Sequence, residues 1–80
     1  MKYVIFQRGT VLYMTDKKVP YPFNRYHIKE AYQIWKIVKT YVDEKQNEIV
    51  FVVTCPKIYK NAPECKQWYG MAGDVSKIIL

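Results

Sequence analysis

Lys17, Lys18, Arg25, Lys29 and Lys36 alternate with Tyr21, Phe23 and Tyr26 across residues 17–36. Mobile cations neutralise phosphates, and aromatic faces give unpaired bases something to stack on. A helix starting inside this stretch would add outward-pointing N-terminal amides as a third anion-binding ingredient. The set points to an anionic partner, RNA or DNA on one hand and a protein with an acidic surface on the other. The same residues also have a structural use, with Tyr21 and Phe23 packing at the start of the helix and the lysines solvated. A second group, Tyr59, Tyr69 and Met71, lies around Trp68 in residues 59–71. Exposed aromatics and methionine are common anchors of protein interfaces, whereas Trp68 in so short a chain is expected to close one end of the core.

Little else in the chain offers covalent chemistry. His27 is the only histidine, and no serine or cysteine lies near it in sequence to be activated. Asp43, Glu44 and Glu48 fall in a turn, where solvation is the ordinary role of carboxylates. Cys55 and Cys65 do not form a C-x2-C pair and have no histidine near them, which argues against a metal. Without a secretion signal the two thiols are expected to be reduced and dispensable. These residues predict no enzyme, no cofactor and no metal.

Thirteen Lys and Arg against seven Asp and Glu give a net charge of +6. That value attracts anionic surfaces, yet it also lies within the range of about 2–8 that keeps small domains soluble. The N-terminal apolar run is too short for a signal peptide, and no run approaches a membrane span. The expected location is the cytoplasm, or the host cytoplasm if the protein is viral. Size and texture are similar to those of small accessory proteins of phages and archaeal viruses, although no motif carries the likeness. Eighty residues make one domain, 1–80, with a thin stability margin that a homodimer or a bound partner would widen.

Residues 3–7 and 10–15 read as strands of a hairpin turning at Arg8-Gly9, with Gly9 supplying a positive φ. Pro20 and Pro22 then exclude a regular central strand. Residues 25–42 read as one amphipathic helix, capped by Asn24, with Phe23 and Ile28 as its hydrophobic staple. Ile28, Ala31, Tyr32, Ile34, Trp35, Val38 and Val42 form its buried arc. Arg25, Lys29 and Lys36 share a flank. Cations at the start of this helix and Asp43 and Glu44 at its end oppose the helix dipole, by roughly 0.3–1 kcal/mol per charge. A local rule broken in this way marks a place to look for function. Residues 48–55 read as a central strand, 63–69 as a short helix and 75–80 as a final strand. The expected fold is α+β, a sheet of three or four antiparallel or mixed strands with the long helix across one face (β-β-α-β-(α)-β).

From these features the chain is expected to be a small, basic, non-enzymatic binding protein. It would dock on another protein or a ribonucleoprotein and modulate or inhibit it, as phage-type counter-defence proteins do. The alternative is a nucleic-acid-binding module using Lys17, Lys18, Tyr21, Arg25, Tyr26, Lys29 and Lys36.

Overall fold

The computed structural model describes residues 2–54 and 67–80, whose regular secondary structure is all strand apart from one short 3-10 turn. Seven strands, β1 (Tyr3–Phe6), β2 (Val11–Met14), β3 (Arg25–His27), β4 (Trp35–Asp43), β5 (Glu48–Thr54), β6 (Gln67–Met71) and β7 (Val75–Ile79), form one sheet. Their order is β3-β2-β6-β5-β4-β1-β7, and every neighbouring pair is antiparallel. The expectation of an α+β fold with three or four strands is therefore corrected to an all-β half-barrel.

The expected helix over 25–42 is replaced by β3, an irregular segment and β4. All of residues 35–42 except the two lysines are β-branched or aromatic, types that lose side-chain freedom in a helix and pack well on a pleated surface. A β-bulge between Ile37 and Lys39 inserts Val38 into the strand. The extra residue breaks the two-residue alternation, and the apolar positions then fall three and four apart, imitating a helical seam. With no helix there is no dipole, so the cations near Arg25 and the acids at Asp43 and Glu44 oppose nothing. The short helix expected over 63–69 is also corrected: Gln67, Trp68 and Tyr69 belong to β6, and 63–66 lie outside the described residues.

β1 and β2 are strands as expected, but they do not pair with each other. β1 lies between β4 and β7, and β2 between β3 and β6. They stand near opposite ends of the order, yet only residues 7–10 connect them, so the sheet must curl to bring its ends together. That connection also clasps both edges. Gln7 N donates to the Asp74 carbonyl at the β7 edge, and Gly9 N donates to the Ile28 carbonyl just after β3, each at 2.8 Å. Gly9 has φ +92°, a conformation that costs glycine least.

Curling puts Val4, Phe6, Leu12, Met14, Trp35, Phe51, Val53 and Trp68 on the inner face, where with Ile28 they form the core. Phe6 from β1 reaches across to β6: a Cβ added at Gly70 would lie 2.7 Å from both Phe6 and Leu12. Tyr26 packs edge-on against Trp35 and Trp68, with ring centroids 5.1 and 5.9 Å away, and its hydroxyl accepts a hydrogen bond from Gln33 Nε2. β5, expected as a central strand, holds the middle of the order, with Val50 to Val53 buried in succession. Its hairpin with β4 turns through Asn47 at φ +52°, and Asp43 Oδ1 accepts the amides of Lys45 and Gln46.

Candidate nucleic-acid interface

Residues opposite one another in an antiparallel pair share a face, so the register sorts the outer side chains into rows. One row runs Arg25–Tyr13–Tyr69–Val52–Lys39 over five neighbouring strands. At about 4.8 Å between strands it extends for about 19 Å. A second row, Gln67–Thr54–Lys36–Tyr3, lies on one side of it. A third, Met71–Val50–Tyr41, lies on the other.

The first row carries a continuous stack. Tyr13 and Tyr69 stack with centroids 5.7 Å apart at 29°. The Arg25 guanidinium lies 5.4 Å from the Tyr13 ring centroid and 4.6 Å from that of Tyr21. Tyr21 comes from the turn preceding β3, where Phe23 N donates to the Pro20 carbonyl and Arg25 N to the Pro22 carbonyl. The ladder Tyr21–Arg25–Tyr13–Tyr69 therefore joins a turn to three adjacent strands. Two of its rings face solvent, Tyr13 at 38% exposure and Tyr21 at 68%. Guanidinium–ring contacts of this kind contribute about 0.5–1 kcal/mol at exposed sites and hold the rings in fixed orientation.

Charge divides along this face. Lys36 and Lys39 sit on β4 in and beside the ladder row, and Lys17 and Lys18 extend from the turn after β2, where Lys18 N donates to Asp16 Oδ1. The other end carries Asp43, Glu44 and Glu48 at the β4–β5 hairpin, and Asp74 in a 3-10 turn over Ala72–Asp74, with Lys45 among them. Glu48 accepts the Gly73 amide at 3.0 Å. Six steps of about 3.3 Å along β5 separate the two ends by about 20 Å. Next to the acidic end, Val11, Tyr13, Tyr69, Gly70, Met71, Asp43, Gln46 and Asp74 line a depression of about 350 Å³.

Of the residues that the sequence marked out, Tyr21, Arg25, Lys36, Tyr69 and Met71 are brought onto this one face, although the first three and the last two were assigned to different partners. Lys17 and Lys18 border it. Lys29 follows β3 and lines a smaller hollow with Arg25, Tyr26 and His27. Tyr26 turns inward onto the tryptophans. Tyr59, Cys55 and Cys65 lie outside the described residues.

Tyr13, Lys39 and the depression residues Gln46 and Asp74 were missed. Tyr13 had a signal, since Leu12 and Met14 are apolar neighbours on a short strand and leave Tyr13 on the opposite face. Lys39 had none once 25–42 was read as a helix. Among the described residues no group of His, Cys, Asp and Glu is arranged to hold a metal, and no helix is long and apolar enough to cross a membrane. Comparisons with protein-family models, with curated proteins and with solved structures give no match.

Proposed function

We propose that this chain is a non-enzymatic binding protein that takes single-stranded nucleic acid across the outer face of its sheet. The observation that carries this reading is the Tyr21–Arg25–Tyr13–Tyr69 ladder, exposed beside Lys36 and Lys39. A tyrosine ring needs the face of a base, which only an unpaired strand presents along its length. The lysines along β4 and in the turn after β2 supply the counter-charge for phosphates. The strand then crosses the β-strands, with its bases over the ladder and its backbone on the basic side.

Fluorescence anisotropy with a labelled RNA or DNA octamer, single-stranded and duplex, over a range of salt tests this. The expected result is tighter binding of the single strand and a steep loss of affinity as salt rises. Replacing Tyr13 with Ala should weaken binding per folded molecule, alongside a modest loss of stability from the Arg25 and Tyr69 contacts that the ring makes. Equal affinity for duplex and single strand, or an unchanged affinity in Tyr13→Ala, would overturn the stacking role. No binding of any octamer, together with nuclease-resistant retention of a protein partner, would move the function to docking on an acidic protein surface.

A further inference from the structure

The depression at the acidic end of the ladder has the makings of a base-reading pocket, and we infer that it selects guanine. This rests on the proposed single-strand binding and adds to it the identity of one base. Tyr13 and Tyr69 form a stacked aromatic wall, and Val11 and Met71 add apolar surface. Gly70 contributes bare backbone on this side, because its missing side chain would point inward at Phe6 and Leu12. The volume of about 350 Å³ is in the range of small-molecule sites.

The polar groups set the preference. Asp43 Oδ1 is engaged with the Lys45 and Gln46 amides, which fixes that carboxylate and the Gln46 backbone in place. Asp74 is anchored through its carbonyl by Gln7 N at 2.8 Å, and its side chain is exposed at the rim. A carboxylate has only acceptors, and it takes paired donors best in bidentate form. Among the bases, guanine alone presents two adjacent donors, N1–H and N2–H, on its Watson–Crick edge. Adenine and cytosine offer an amino group beside a ring acceptor, and uracil or thymine an N–H flanked by two carbonyls that a carboxylate repels. Gln46 on the same wall supplies an amide donor suited to guanine O6. Carboxylates in a nucleic-acid site are otherwise unfavourable, because phosphates repel them. Here they stand beyond the aromatic wall, and the cations of the phosphate side lie at the other end.

The test compares octauridylate with octamers carrying one central guanine, inosine or adenine, each made as RNA and as DNA (with thymine as background), on wild type and on Asp74→Asn. Inosine keeps N1–H and loses the N2 amino group. The expected result is about tenfold tighter binding of the guanine octamer than of the uniform pyrimidine one, in at least one of the two sugars. Inosine should lose most of that gain, and Asp74→Asn should abolish the preference while leaving the uniform octamer at least as tightly bound as before. Equal affinity for guanine and pyrimidine octamers in both sugars, or a preference that survives Asp74→Asn, would overturn the inference and leave single-strand binding standing. If no octamer binds, both fall together.

Discussion

The two faces of this sheet use aromatic residues in opposite ways. The inner face holds Phe6, Phe51, Trp35 and Trp68, all buried, and Trp35 is entirely removed from solvent. The outer face holds Tyr3, Tyr13, Tyr41 and Tyr69, placed there by strand alternation, with Tyr21 brought alongside from a turn. On the sheet itself, the two phenylalanines and the indoles fill the volume that the curl creates, while Phe23 stands exposed in the turn beside Tyr21. Phenols, which keep a polar tip for water, stand outside. Tyr26 is the exception that fits the same rule, since inside the core its hydroxyl has a partner in Gln33. One set of aromatics thus serves folding and the other is left available for contact, and substitutions on the two faces should separate stability from binding.

The largest effect is expected from Trp35→Ala on the inner face. Removing a fully buried indole leaves a cavity and should destabilise the fold by about 3–5 kcal/mol, read as a loss in thermal or denaturant unfolding. A variant that melts like the wild type would break the assignment of the inner face as the core. On the outer face, Tyr13→Ala should lower affinity for a single-stranded octamer by about 1–3 kcal/mol per folded molecule, the range found for base–aromatic stacking, and should cost about 1–2 kcal/mol of stability through its lost contacts with Tyr69 and Arg25. The contrast is lost if Tyr13→Ala lowers stability more than binding.

Gly70→Ala tests where the faces meet. Its added methyl would press on Phe6 and Leu12, both buried, and should cost about 1–3 kcal/mol of stability. Because the methyl points inward, affinity per folded molecule should hold, and titrations corrected for folded fraction check this. The smallest effect belongs to the lysines. Lys36→Ala and Lys39→Ala should each reduce the slope of log affinity against log salt by about 1 if the side chain meets a phosphate. A slope unchanged in both would place the backbone of the strand elsewhere on the face.

Local chemistry alone determined a good part of this protein. β1, β2, β5 and β7 were legible from β-branched and aromatic runs bounded by glycine and proline, and Gly9 was legible as a positive-φ position. Lys36, Arg25, Tyr21 and Tyr69 could be nominated as candidate contact residues because their types suit anions and interfaces wherever they stand. Tertiary structure decided the rest. Strand pairing joins residues far apart in the chain: Tyr13 meets Tyr69, and β1 meets β4 and β7 in place of its neighbour β2. No local pattern encodes such closure, because its free energy comes from burying Phe6, Leu12 and the two tryptophans together once the sheet has curled. The bulge at Val38 is the other reason. A single inserted residue shifts every later side chain of β4 to the opposite face, and only pairing with β5 shows where that shift occurs. Residue types could nominate the members of the ladder, but their meeting on one face depends on register, a property of the assembled sheet.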